Sequence, residues 1–450
     1  MSSTTGPGAA FALVRQRSFG PYFFGNALSA SGGWFQNLAA SLLVYRLTHS
    51  PFLLGLLNFC QFIPVLVLVP WTGSAADRFD RRRLLLAAQT TAAALAAVLS
   101  VLAWSGLATA WVVILFALGL GVTSATSIPA QQALIASLVE RENLPTAVAL
   151  NSMTYNLARA IGPALGAASV EYLGIPASFL LNSFSYLVFV VALLAIRPRA
   201  REAAARETSR LRDALGLLRD DPRLLAFLIV VAAVGFASDP VNTLAPAFAH
   251  AFGRKDTVAG FIIGAFGAGA VTAALLVAGR VAGSRKRMVV TLTLLGGGVI
   301  AFALSPWLPL GFVLLFVAGF GYLASNTSAT TRLQLGVSEA QRGRMMALWG
   351  VAFLGLRPLA SLADGAIASA AGVRTAGVIL ALPALAGVVV LVLVGQRERG
   401  REHRLVQPAA ARGESQREDG HRPAAGERGR DVVADHRAPR GREPAERDRP

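Results

Sequence analysis

Apolar positions in this chain neither alternate nor keep to one helical face; they run on in long blocks. Twelve stretches of 17 to 32 residues are dominated by Ala, Leu, Val, Gly and Phe. About 20 such residues cross the ~30 Å hydrocarbon core of a bilayer as an α-helix. The spans are 19–45, 52–76, 84–104, 108–139, 144–170, 175–196, 224–249, 258–279, 288–304, 308–331, 345–369 and 375–395. A strand-built barrel would show alternation over ~10-residue segments, and the sequence has none. The pattern predicts an all-α membrane protein with twelve transmembrane helices.

Polar punctuation divides the spans into two sets of six. Residues 1–18 form an N-terminal segment, 19–196 a first six-helix bundle, 197–223 a charged connector, 224–395 a second bundle and 396–450 a basic tail. The connector carries eight Arg among acidic residues, and its Leu211, Leu215 and Leu218 fit either an amphipathic segment on the membrane surface or a solvated linker. The tail holds 14 Arg and 11 acidic residues with scarcely any apolar ones. Nothing in it offsets the entropy of ordering, so disorder is expected. The halves echo each other. An offset of 198 pairs Gly121 with Gly319, Arg159 with Arg357 and Gly174 with Gly372, and one of 206 pairs Leu38 with Leu244 and Arg81 with Arg287. The expected architecture is therefore a duplicated unit, two pseudo-symmetric six-helix bundles about a central site.

Composition sharpens this picture. The chain has 450 residues, 54% hydrophobic and 15% charged, with a mean hydropathy of +0.54. Soluble domains carry about 25% charge. The net charge is +17, and 22 of the 28 basic residues before position 396 fall in segments that place both termini in the cytoplasm, against four on the other side (Arg46, Arg254, Lys255, Arg374). The charge is thus a topology signal plus contact with anionic membrane lipids. No basic stretch interleaves aromatics for base stacking, so nucleic acid is not an expected partner. Arg15 and Arg17 precede a long first span without a small-residue cleavage site, which reads as an uncleaved anchor. One cysteine, Cys60, rules out an internal disulfide. Arg in large excess over the two lysines suggests a GC-rich genome and a bacterial inner membrane.

Four charges lie inside the spans: Arg159, Asp239, Arg357 and Asp364. Each is costly in hydrocarbon, so each is either interhelical glue or part of the mechanism. Asp239, beside Pro240 in mid-helix, is the sharpest candidate for proton coupling, with Arg159 or Arg357 as the partner that resets it. In the fifth span, Pro163 frees a backbone carbonyl, and Gly162 and Gly166, four apart, leave a flat stripe for another helix.

Between the second and third spans, Gly73, Asp77, Arg78, Arg81 and Arg82 match the loop signature G-x-x-x-D-[RK]-x-G-[RK]-[RK]. Here the chain resembles the major facilitator superfamily. Asp80 replaces the usual glycine, as in the branch of enterobactin exporters and macrolide-efflux permeases. The resemblance implies that Asp77 meets the start of the eleventh helix near Arg344 and latches the halves. The weaker copy, Gly279 to Arg287, has Gly283 in place of that acid. Gly162, Pro163 and Gly166 are similar to the antiporter motif G-P-x-x-G-G of drug exporters, with Ala167 for the last glycine. Superfamily architecture also implies that helices one, four, seven and ten line a cavity. The candidates there are Asn26, Trp34, Gln36, Asn37, Thr123, Thr126, Gln131, Phe236, Asn242, Thr243, Tyr322, Ser325 and Asn326.

A weakly polar, partly aromatic chamber suits an amphipathic organic molecule. No G-x-x-x-x-G-K-[ST], H-E-x-x-H or G-x-S-x-G occurs, so neither ATP hydrolysis nor a familiar hydrolase is indicated. The expectation is a monomeric secondary exporter of drugs, siderophores or secondary metabolites. It would exchange a small-molecule substrate for protons without metal or cofactor. An importer of a small nutrient and a non-transporting membrane sensor or scaffold are the alternatives.

Overall fold

A computed structural model describes residues 7–197, 216–219, 221–277 and 285–418. A short helix, Pro7–Val14, leads into twelve longer ones. The first half holds α1 Phe19–Thr48, α2 Pro51–Arg78, α3 Arg81–Trp104, α4 Ala110–Leu138, α5 Leu144–Leu173 and α6 Ile175–Ala195. The second half opens with α7, Pro222–Thr243, which continues past Leu244 as Ala245–Ala251. It goes on through α8 Ala259–Val277, α9 Arg285–Leu304 and α10 Leu308–Leu335. Next is α11, made of Glu339–Gly350, a π-helical turn Val351–Gly355 and Arg357–Ala371, and last α12, Val373–Glu418. The chain divides into two compact units, 1–395 and 396–450. Helical backbone reaches Glu418, inside the stretch whose composition predicts disorder. Most of the connector and residues 419–450 lie outside the described residues.

Local chemistry sets the helix ends. Ser50 and Thr109 cap α2 and α4 by accepting from the backbone N–H groups of Leu53 and Val112, and Pro51 occupies the first turn of α2. Asp80, the residue that departs from the loop signature, does the same for α3 through Arg83 N–H at 2.8 Å. It needs no left-handed turn, since its φ is −60°. The repeat is visible in the turns. Gly174 ends α5 at φ 86°, ψ 166°, and its counterpart Gly372 ends α11 at φ 90°, ψ 153°. That region is open only to glycine.

Ten helices are long and apolar enough to cross a membrane by length and composition among the described residues. The sequence pattern predicts twelve. The two others, α1 and α5, are 30-residue helices at the expected places. Their apolar runs are interrupted by residues that bind other helices: Asn26 donates to Asn151 (2.9 Å), and Asn182 of α6 donates to Gln36 (2.5 Å).

Between the halves, α2 packs on the second piece of α11, and α5 packs on α8. Both seams consist of small residues. A Cβ on Gly55 would lie 2.4 Å from the Ser361 carbonyl oxygen, and one on Gly260 would lie 2.6 Å from that of Pro163. On its other side α5 seats α1, because Gly162 and Gly166 leave room for Trp34 and Phe35. One apolar core runs through both halves and, in the second, along its length from Phe248 to Leu224, Leu333 and Met345, and Tyr45, Leu54 and Ala247 add a small cluster near the end that carries Arg46. At the opposite end, which carries Arg81, a separate core of Phe19, Tyr22, Leu134 and Phe189 belongs to the first half alone. There the Glu339–Gly350 piece of α11 packs on α10 and α7 of its own half.

Candidate functional site

The four intramembrane charges converge on the middle of the bundle. Asp239 is 2% exposed in α7, the most deeply buried of the ten spans. One carboxylate oxygen accepts from Arg357 Nε at 3.3 Å. The other accepts from Ser361 Oγ at 2.6 Å and Thr243 Oγ1 at 2.8 Å. Arg357 and Ser361 are four apart on α11 and so share a face, which lets one helix surface present both donors to α7. Asp364, one turn beyond Ser361, is fully buried with its carboxyl against that of Asp239, and no side-chain or backbone donor among the described residues reaches its oxygens.

The second arginine takes a different partner. Arg159 Nη1 donates to the Tyr322 hydroxyl, and the guanidinium lies 4.7 Å from the Tyr322 ring centroid. Trp34 stands between the two cations, 5.5 Å from Arg159 and 5.3 Å from Arg357, and Phe62 covers Arg357 at 4.2 Å. Such contacts hold a guanidinium in an apolar setting at about 0.5 to 2 kcal/mol each. Of the two resetting partners suggested by the sequence, Arg357 is thus the one bonded to Asp239.

Beside Arg159 opens a cavity of about 320 Å³, lined by Arg159, Asn242 and Tyr322 among apolar groups such as Met153, Ile263 and Phe266. The remaining cavity candidates are spread more widely. Trp34 and Thr243 belong to the charge cluster. Asn37 bonds Asn58 and Gln61 of α2, and Ser325 bonds Thr291 of α9. Thr123 and Thr126 donate to carbonyls of their own helix. Asn26 and Gln36 tie α1 to α5 and α6. Gln131 and Phe236 are half-buried, and the buried side-chain amide oxygen of Asn326 has no partner among the described residues.

In the signature loop, Gly73 and Asp77 are described in their helical backbone alone, and Gly283 of the second copy lies outside the described residues. Arg78 is exposed at the end of α2. Arg82 bonds the Leu193 and Leu194 carbonyls at 2.6 and 2.7 Å, and Arg81 reaches the Ala133 carbonyl at 3.4 Å. For Arg82 this places a cation on the carbonyls of the last turn of α6, where the helix dipole is negative.

At the Arg46 end the halves are joined by ion pairs that nothing in the sequence singled out. Arg46 bonds Asp256 through both Nε and Nη2, at 2.5 and 3.0 Å. Lys255 Nζ and Thr257 Oγ1 donate to the two oxygens of Glu171, each at 2.9 Å. The hydrogen bond from Lys255 holds the Glu171 carboxyl below its ordinary range and raises Lys255 in turn. Tyr45, His49 and His250 meet nearby in tilted and edge-on ring contacts. A depressed carboxyl contributes above its ordinary pKa, and the contribution is lost as pH falls through its folded value; a raised lysine loses its contribution as pH rises through its own. The clasp therefore holds around neutrality and loosens in strong acid. Spin labels at Leu47 and Arg254, both exposed beside the clasp, are expected to move apart at neutral pH in Glu171→Gln; unchanged distances would show that the pair holds nothing.

Two six-helix halves, close-packed seams of small residues and charges buried where the halves meet define a multi-pass membrane transporter of the major facilitator fold. The chain matches the family described as transmembrane secretion effectors over residues 8–409, and it belongs to that family. It is 27% identical to the enterobactin exporter EntS of Shigella boydii over 372 residues, 77% of this chain and 86% of that one. It is 31% identical to the staphyloferrin A transporter of Staphylococcus aureus over 175 residues, 38% of this chain and less than half (44%) of that relative's length. In structure it is similar to a bacterial homologue of the human lysosomal transporter Spinster in an inward-facing, occupied conformation (TM-score 0.69, 14% identity, 87% of this chain and 98% of that one). It is likewise similar to the nucleoside transporter NupG (TM-score 0.63, 14% identity, 83% of this chain and 98% of that one). These likenesses show the fold, and the family shows a transporter of small molecules rather than an enzyme.

Proposed function

We propose that the chain exports amphipathic organic compounds, siderophores among them, from the bacterial cytoplasm in exchange for protons, acting as a monomer in the inner membrane. The observation that carries this reading is Asp239, a carboxylate buried at the centre and bonded across α7 and α11 by Arg357, Ser361 and Thr243. With both termini in the cytoplasm, as the charge distribution favours, the Arg46 end faces outward. The ion pairs at that end then close the outer side of this conformer. Three donors on Asp239 suit a carboxylate, and Arg357 has no acceptor to offer a protonated acid. The inward-facing state accordingly sheds a proton, and an outward-facing state that separates these groups takes one up. The names of two relatives, an enterobactin exporter and a staphyloferrin A transporter, support cargo of the siderophore kind.

Inverted membrane vesicles carrying the full chain test this. On acidification of the lumen they are expected to accumulate enterobactin or staphyloferrin A, and to lose it when a protonophore is added. Accumulation in right-side-out vesicles instead would make the protein an importer.

A further inference from the structure

We propose that Arg159 is the receptor for an anionic group on the cargo, which makes the substrate class amphipathic organic acids presenting a carboxylate beside an apolar body. This deepens the exporter reading and rests on its premise that cargo occupies the cavity. The internal repeat supplies the first argument. Arg159 and Arg357 are equivalent at the offset of 198, yet among the described residues Arg357 alone of the two has a counter-ion, Asp239 of α7. At the offset of 206, the position in α1 corresponding to Asp239 is Gly33. A Cβ built on Gly33 would meet nothing nearer than the Tyr186 hydroxyl at 3.8 Å. The first half keeps the arginine and lacks the acid.

Local geometry supplies the second argument. A guanidinium offers five N–H donors, and within the described residues Arg159 places one on Tyr322 and has no carboxylate partner. It is half-buried and forms part of the cavity wall. The rings of Trp34 and Tyr322 flank it and hold the planar fork at the rim. A carboxylate entering there would find the paired N–H geometry that Arg presents to oxyanions. The rest of the wall suits the rest of such a molecule. Leu157, Ile263 and Phe266 are apolar, and Asn242 has its amide N–H on the Ser238 carbonyl, which leaves its own oxygen to accept from a hydroxyl or N–H of the cargo. A volume of about 320 Å³ lies within the range of small-molecule sites.

Equilibrium dialysis on the full chain in lipid nanodiscs tests the inference, with 2-naphthoate and its uncharged analogue 2-naphthamide as probes and empty nanodiscs as the blank. The wild type is expected to bind the acid at least about tenfold more tightly, the scale of one charged hydrogen bond. Arg159→Gln should erase that preference while keeping naphthamide binding, and Arg159→Lys, which keeps the charge but not the paired N–H groups, should keep only part of it. Equal affinities in the wild type, or a preference that survives Arg159→Gln, would overturn the proposal. Should both variants lose naphthamide binding through misfolding, the wild type decides: naphthoate, and not naphthamide, must shield Arg159 from phenylglyoxal in peptide mapping, and equal shielding overturns it. The two readings fail separately. Charge-selective binding without proton-driven flux removes the exporter alone, whereas proton-driven export of 2-naphthoate undiminished in Arg159→Gln removes the anion receptor alone.

Discussion

Replacing Asp239 by Asn is expected to reduce export driven by a pH gradient to the level of empty vesicles while leaving cargo binding in place. Asn keeps the shape and can still accept from Ser361 and Thr243, the partners at 2.6 and 2.8 Å. It cannot take up or release a proton, and it offers Arg357 no charge. The loss should therefore appear in coupling. Downhill flux of cargo, measured with no pH gradient, should persist, and acidification of the medium on cargo addition should vanish. Gradient-driven export that survives in Asp239→Asn would remove Asp239 from the mechanism.

The second large effect is on stability. Arg357→Gln would leave the Asp239 carboxylate buried without its cation, and breaking such a pair from one side costs about 3–5 kcal/mol. Ser361 and Thr243 offset part of that cost. The double variant Asp239→Asn with Arg357→Gln removes both charges and is expected to recover most of the loss, as replacing a buried pair outright is often close to neutral. Thermal unfolding in detergent, read as a double-mutant cycle, separates the outcomes. Additive losses would mean that the two residues act independently despite their 3.3 Å contact.

Long apolar runs locate all twelve helices in the sequence, because crossing a bilayer demands length and hydropathy and little else. In α1 and α5 the polar residues were visible but their purpose was not. Asn26 and Gln36 bind neighbouring helices of the same half, and a residue type cannot tell glue from cavity wall. The sequence also located the buried charges but not their pairing. Asp239 lies 118 residues from Arg357, and only the packing of α7 on α11 selects that arginine over Arg159. Ser361 escaped notice, though its place one turn from Arg357 was a usable signal. The clasp at the Arg46 end escaped for a different reason. Arg46 and Lys255 registered only as minority charges against the topology, and their acids, Asp256 and Glu171, come from remote turns. The repeat, by contrast, was legible down to Gly174 and Gly372, because a backbone that only glycine adopts leaves the same residue in both copies.

The central claim is that a proton on Asp239 moves the two halves. Spin-label distances between Leu47 and Arg254, recorded as pH is lowered within the range where Glu171 stays ionised, test it most directly. The account predicts that the wild type shifts towards longer distances as the Arg46 end opens, and that Asp239→Asn does not respond. A pH-dependent opening retained in full by Asp239→Asn would contradict it.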